Sequence, residues 1–154
     1  MSQFVERLDG ASHPRLVHLG FERVRPRFRV TNTTGPIRKI FQLQVMKSLT
    51  YSAQWGFSIA FVPLLWSDHL RWKRTAKSTA FDLCVDPIDA SGCVSEWCSF
   101  FHMQGYSQVS ALKLDQVAQA SVAAASIDFI RVQTLSDMIT IFEECERMKF
   151  PRFS

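Results

Sequence analysis

The chain has 154 residues, a hydrophobic fraction of 47%, a charged fraction of 21% and a formal net charge of +4 at pH 7. This is the composition of an ordinary soluble globular protein, and a chain of this length buries enough surface to fold without a metal or a disulfide. The most apolar stretch, Phe57–Trp66, has ten residues and contains Pro63, whereas a membrane helix needs about 20. Glu6 and Asp9 stand where a secretory signal needs a basic start and an apolar run. We therefore expect a single cytoplasmic domain spanning residues 1–154.

Charge is distributed unevenly along the chain. Residues 1–81 hold 13 Lys and Arg against 4 Asp and Glu, a net charge of +9, whereas residues 82–154 hold 5 against 10, a net charge of −5. Arg outnumbers Lys by 12 to 6, which favours specific paired contacts. A chain divided in this way either folds its halves onto each other or presents two surfaces of opposite sign.

The first predicted elements are a helix and a hairpin. Ser12 is expected to cap a short helix that has Pro14 in its first turn and ends at Gly20. From Arg23 to Val30, arginines alternate with other residues at period two, which predicts a strand. The segment TNTTGP is a turn, and the alternating run IRKIFQLQVM after it pairs with the first strand.

Two further strands and two helices follow. The strands are GFSIAFVPL and AFDLCVDP, separated by a basic, exposed connection at Arg71–Lys77. The Ala-rich segment Ser110–Ile130 predicts one helix, and Thr134 with Asp137 forms a capping box for another. The apolar stripe predicted for this last helix consists of Leu135, Met138, Ile139, Phe142 and Cys145.

These elements together predict an α+β fold. The sheet is mostly antiparallel, a meander of about four to five strands. A short N-terminal helix and two C-terminal helices pack on one of its faces.

The first strand carries a distinctive charge pattern. If it is regular, four arginines lie on one face, with Arg38 and Lys39 across the hairpin. Such a face contacts phosphates or docks an acidic protein; the alternative is an exposed face that pairs with acidic helix residues such as Glu143 and Glu144. A reader of single-stranded nucleic acid interleaves aromatic residues with its basic ones, but Phe28 points to the other face. The four arginines are Arg23, Arg25, Arg27 and Arg29.

Three of the four cysteines lie in one stretch, CVDPIDASGCVSEWCSFFH, that ends on a histidine. Zinc takes about four Cys and His ligands, but the eight-residue gap after Cys84 matches no familiar zinc knuckle. The favoured interpretation is therefore free thiols that behave as small apolar side chains. A zinc site at Cys93, Cys98 and His102 is the alternative.

The sequence contains no G-x-S-x-G, G-x-G-x-x-G or P-loop motif. Its histidines are scattered, and its acidic pairs are typical of a solvated turn, at Asp86 and Asp89, and of a solvated helix face. No catalytic residue and no cofactor are therefore predicted. A protein without enzymatic activity is favoured, and an enzyme whose pocket has no sequence signature stays open.

Residues 1–65 show an ordered series of short features. A Gly20–Phe21 pair ends the helix, Phe28 lies in the next strand, glutamines precede a Lys47–Ser48 step, and Gly56–Phe57 starts another strand. This order resembles an uncharacterised, largely bacterial family, domain of unknown function 4304. The resemblance implies no established reaction and no catalytic residues. Small domains of this kind often accompany toxins as immunity proteins, which suggests that class by analogy.

These observations predict a binding domain without enzymatic activity, of the immunity or adaptor class. Its expected partner is a protein with an acidic surface, such as a toxin, and no membrane partner is expected. The alternative is a nucleic-acid-binding domain that uses the same arginines. Because Trp and Arg dominate interface hot spots, three tryptophans join the predicted site. Its residues are Arg23, Arg25, Arg27, Arg29, Arg38, Trp55, Trp66 and Trp72.

Overall fold

A computed structural model of the chain describes residues 3–31, 35–45, 50–85, 99–102 and 111–149. Within these ranges the chain forms three helices and eight strands. The helices are α1 (Gln3–His18), α2 (Ala111–Arg131) and α3 (Leu135–Lys149). The strands are β1 (Phe21–Arg25), β2 (Phe28–Thr31), β3 (Ile37–Val45), β4 (Thr50–Ile59), β5 (Leu64–Trp66), β6 (His69–Arg71), β7 (Leu83–Val85) and β8 (Ser99–His102).

Six of the strands form one antiparallel sheet. Its order is β1-β2-β3-β4-β7, and β8 also pairs with β4. The remaining strands, β5 and β6, form a separate two-stranded ribbon. The predicted α+β fold with an antiparallel meander, one N-terminal helix and two C-terminal helices is confirmed.

All three helices contribute to one core against a single face of the sheet. Strand register places Phe41 opposite Trp55 on this face, beside Leu43. The ring of Phe129 on α2 lies 5.2 Å from that of Phe21 and 5.8 Å from that of Phe57, measured between centroids. Burial of these large apolar side chains stabilises the packing of helices on sheet.

Helix α1 is longer than predicted. It begins at Gln3, and Pro14 lies inside it. Ser12 does not cap it, because its hydroxyl donates to the Leu8 carbonyl at 2.9 Å. A proline inside a helix costs about 3 kcal/mol, so packing of Leu8 and Leu16 in the core must outweigh the local signal. The predicted end is confirmed by Gly20, whose φ of 83° suits glycine.

The opposite face of the sheet is covered by the connection from Trp72 to Asp82. Val30 and Ile40 lie on this face and are fully buried. A Cβ on Gly56 would stand 2.0 Å from the Leu83 carbonyl oxygen and 2.9 Å from the Phe81 ring, so only glycine permits this approach. The connection thus forms a second layer over the sheet, and most of residues 71–77 are exposed, as the sequence predicts.

Two local expectations meet different outcomes. The predicted strand GFSIAFVPL is divided between two strands. Its first four residues belong to β4, which runs from Thr50 to Ile59, and its last residue, Leu64, begins β5. The capping box of α3 is confirmed: the Asp137 amide donates to the Thr134 hydroxyl at 3.2 Å, and the Thr134 amide donates to the Asp137 carboxylate at 2.8 Å. A bond from the Gln133 amide to the Asp137 carboxylate, followed by bonds from the amide and the side chain of Thr134, holds the pKa of Asp137 below its usual value.

Candidate binding surface

The four arginines do not share one strand, which corrects the sequence prediction. The chain reverses at Pro26 and Arg27, and β1 and β2 pair across this turn with Arg23 opposite Arg29 and Arg25 opposite Phe28. Proline presets the backbone of the first central turn residue, which explains the reversal. The alternation of arginines with other residues thus continues through the turn. This alternation alone does not distinguish one long strand from two strands joined by a hairpin.

Arg23 and Arg29 point to the helices, where Asp9 of α1 forms ion pairs with both. The side chain of Arg29 is only 2% exposed and that of Asp9 only 7%. Arg29 also donates to the His13 ring at 3.1 Å and to the carbonyls of Arg25 and Phe28 at 3.2 and 3.0 Å. Burial lowers the pKa of Arg29 to about 10. This cluster fixes α1 to the β1–β2 turn, so we assign Arg29 a structural role.

Arg38 lies on the face covered by the Trp72–Asp82 connection. Its guanidinium donates to the Thr75 carbonyl at 3.1 Å and to the Ala76 carbonyl. Burial and the charge of nearby Arg74 lower the pKa of Arg38. Arg38 therefore holds the connection in place, and its carbonyl bonds occupy donors that a partner would use.

Arg74 was not singled out from the sequence, yet it organises the same layer. Its guanidinium bonds the two carboxylate oxygens of Asp82 at 2.5 and 2.6 Å, the Ser58 hydroxyl at 2.6 Å and the Val62 carbonyl at 2.9 Å. Its side chain is 2% exposed. No local signal separates it from the basic residues around it, because only tertiary packing brings Asp82 to it.

Arg25 and Arg27 are the predicted site arginines whose side chains reach solvent without a contact to Asp9 or the connection. Both residues are exposed at the β1–β2 turn. The backbone between them is fixed, because Arg27 accepts a bond from the Leu43 amide at 2.9 Å. A rigid turn with two exposed arginines suits electrostatic contact with an acidic surface.

The three predicted tryptophan anchors occupy different environments. Trp55 is 1% exposed and stacks on Phe41, so it belongs to the core rather than to a contact surface. Its indole donates to Asp128 at 2.8 Å, and burial raises the pKa of Asp128. Trp66 lies on β5 opposite His69, and its side chain is outside the described residues. Trp72 is 67% exposed.

Trp72 ends a two-stranded feature, separate from the main sheet, that we name the apolar hairpin, residues 64–72. In this hairpin Leu65 pairs with Leu70 across the two strands, and both side chains are more than half exposed. Arg71 and Lys73 flank Trp72. Exposed apolar side chains that cluster beside basic ones are typical of a protein contact site.

The turn of the apolar hairpin is locally unfavourable. Two residues, Ser67 and Asp68, connect the strands, and Ser67 has a φ of 52°, where glycine is usual. The sequence signal for this hairpin was present, since apolar residues flank a two-residue polar loop. The prediction missed Leu65 and Leu70 because the predicted strand ended at Leu64 and no element was assigned to residues 65–70.

A second apolar feature lies between α3 and the end of β4. The predicted stripe of α3 is partly wrong: Ile141 is buried, whereas Ile139 and Phe142 are more than half exposed. The side chain of Cys145 is outside the described residues. The exposed pair borders a cavity of about 310 Å³ that we name the α3 groove, lined by Ile59, Phe61, Asp82, Leu83, Leu135, Met138, Ile139 and Phe142.

The proposed zinc ligands lie mainly beyond the structure. Cys93 and Cys98 are outside the described residues, and His102 is described only through its backbone, which pairs with Thr50. Among the described residues, no group of three His, Cys, Asp or Glu side chains is placed to hold a metal ion. The sulfur of Cys84 on β7 lies 3.7 Å from the Trp55 carbonyl oxygen.

Comparison with known proteins found no matching family model, no matching curated protein and no matching solved structure. The resemblance to the family of unknown function therefore stays an expectation. In the part of the chain that the structure describes, no helix is long and apolar enough to cross a membrane.

Proposed function

We propose that this chain is a protein-binding domain without enzymatic activity that docks an acidic partner through the apolar hairpin. One observation carries this proposal: Leu65, Leu70 and Trp72 expose most of their surface on a two-stranded ribbon that is separate from the main sheet. Surface tryptophan and leucine in one cluster provide a contact area that is desolvated when a partner binds.

Basic residues around the hairpin define the chemistry of the partner. Lys73 and Lys77 are exposed in the connection that follows β6. Arg25 and Arg27 add a second basic position at the β1–β2 turn. Such charges raise the association rate with an acidic protein and orient it, while the apolar side chains supply most of the affinity.

The biological role that we propose for this binding domain is that of an immunity or adaptor protein in the cytoplasm. Both classes work by occupying a protein partner, which requires a stable surface and no reaction. The nucleic-acid alternative is weakened because Arg23 and Arg29 bind Asp9 and Arg38 binds backbone carbonyls. Few arginines then remain to contact phosphates.

Affinity purification from extracts of the native host, with nuclease added, tests the proposal. The bait is the full chain, compared with a Leu70→Ala/Trp72→Ala variant. A matched control, Ile127→Ala/Ile130→Ala, removes two equally exposed side chains from α2. We expect a stoichiometric acidic protein that the hairpin variant loses and the control keeps.

The other outcomes count against the proposal. A partner that remains on the hairpin variant overturns the site. Nucleic acid recovered without nuclease, and no protein in either condition, favours the alternative function.

A further inference from the structure

The α3 groove is large enough to hold an apolar side chain of the hairpin. The hairpin exposes Leu65, Leu70 and Trp72, and the groove is a cavity with Phe61, Ile139 and Phe142 exposed at its rim. A cavity of about 310 Å³ is at the lower end of the size of ligand pockets and can accept a large aromatic side chain. Trp72 of the hairpin is such a side chain and is exposed.

Their charges are complementary as well. On α3, Glu143 lies one turn beyond Ile139 and Glu146 one turn beyond Phe142, so both carboxylates border the exposed apolar pair. Within the described part of the chain, neither glutamate forms an ion pair. Arg71 in the hairpin and Lys73 directly after it are the basic residues beside Trp72. The acidic rim of the groove thus matches the basic flank of the hairpin.

The one charged side chain among the described residues that line the groove, Asp82, is already neutralised within the chain. Asp82 lines the groove, but Arg74 bonds both of its carboxylate oxygens and the Ile59 amide donates to it at 2.6 Å. An occupant of the groove needs no cation at that point. An apolar side chain is therefore the occupant that the floor favours.

We propose that the occupant of the α3 groove is the apolar hairpin of a second copy of this chain. The two features are adjacent, because Phe61 lines the groove and only Val62 and Pro63 separate it from β5. In a two-fold symmetric dimer the same pair of surfaces meets twice. Because the hairpin and the groove lie close together on one copy, each copy inserts its hairpin into the groove of the other. This inference rests on the proposed role of the hairpin, because the acidic rim of the groove on a second copy is one of the acidic surfaces that the hairpin would bind.

Sedimentation equilibrium of the full chain over a range of concentrations tests the inference. We expect a monomer–dimer equilibrium in which Trp72→Ala, in the hairpin, and Ile139→Asp, in the groove, each weaken association at least tenfold. Ile130→Asp is the matched control, because it places the same charge at an exposed isoleucine of α2 and should leave the dimer intact. High salt should also weaken the dimer, since it screens the exposed charges at the rim.

A mixing experiment separates this interface from any other. Trp72→Ala keeps its groove and Ile139→Asp keeps its hairpin, so a mixture restores one of the two contacts and should associate more strongly than either variant alone. Unchanged dimerisation of both variants, a mixture no stronger than its components, or a monomer at all concentrations overturns the inference. Unchanged melting temperatures show that the variants fold.

Failure of the inference is distinguishable from failure of the proposed function. A monomeric chain that still captures a foreign acidic protein through Trp72 overturns the dimer and leaves the proposed function standing. A chain that dimerises but captures no foreign protein supports the inference and contradicts the proposal that the hairpin docks a foreign acidic protein.

Discussion

The β1–β2 hairpin and the apolar hairpin place their side chains in opposite environments. In the first, Arg29 is buried against Asp9, and its guanidinium bonds the carbonyls of the turn. In the second, Leu65 and Leu70 face solvent from paired strands. A buried charge must be compensated within the fold, whereas an exposed apolar cluster gains free energy only when another surface covers it. Arg29 of the β1–β2 hairpin therefore contributes to the stability of the fold, whereas the apolar hairpin contributes to binding.

Removing the buried guanidinium tests the structural half of this comparison. Arg29→Ala leaves Asp9 as a buried charge with less compensation, and we expect a loss of about 3 to 5 kcal/mol in the free energy of unfolding. Urea denaturation measures it. Arg27→Ala is the matched control from the same turn and should change stability by less than about 0.5 kcal/mol. Equal effects of the two variants would contradict the assignment.

The two tryptophans Trp55 and Trp72 give a second contrast. Trp55→Phe removes the indole donor that bonds Asp128, and a buried polar group left unsatisfied costs about 1 to 3 kcal/mol. Trp72→Phe changes an exposed side chain and should leave the unfolding free energy nearly unchanged. Thermal and urea denaturation of both variants check this order, and a larger loss for Trp72→Phe would reverse the interpretation.

The pH dependence of stability sharpens the account of the Trp55–Asp128 contact. Because burial raises the folded-state pKa of Asp128 above the unfolded value of about 3.9, the folded state retains the proton between the two pKa values. The contribution of Asp128 to the stability of the wild type therefore falls as pH rises through that interval and is level above it. Asp128→Asn should remove this fall, so its stability relative to the wild type should rise with pH. A difference independent of pH would contradict the raised pKa.

Reversing the exposed arginines should have the smallest effect on the fold. Arg25→Glu/Arg27→Glu should slow association with an acidic partner and reduce its salt dependence, because exposed charges raise the rate at which oppositely charged proteins meet. The melting temperature should stay within a few degrees of the wild-type value. Surface plasmon resonance measures the association rate, with Arg147→Glu on α3 as a control. An unchanged association rate would remove this pair from the site.

The fold was largely predictable because its signals are local and mutually consistent. Period-two alternation identified β3, and an Ala-rich run without Gly or Pro identified α2. The capping box at Thr134 and Asp137 marked the start of α3. Each of these patterns involves residues within one element or one turn, so the sequence alone contains the required information.

The candidate site was less predictable because it depends on contacts between distant residues. Period two does not show that Arg23 and Arg29 turn toward Asp9, and composition does not show that Trp55 is buried while Trp72 is exposed. The start of α1 was missed for a similar reason, since Ser12 followed by Pro14 imitates a helix start. In each case tertiary packing outweighed a local preference.

The most direct test of the central claim compares stability and binding in the same pair of variants. Leu70→Ala/Trp72→Ala and Arg29→Ala are each assayed for urea denaturation and for capture of the partner from native extract at a temperature where both variants are folded. The account predicts that the hairpin variant keeps its stability and loses capture, whereas the arginine variant loses stability and retains capture. A hairpin variant that captures the partner at the wild-type level would contradict the account.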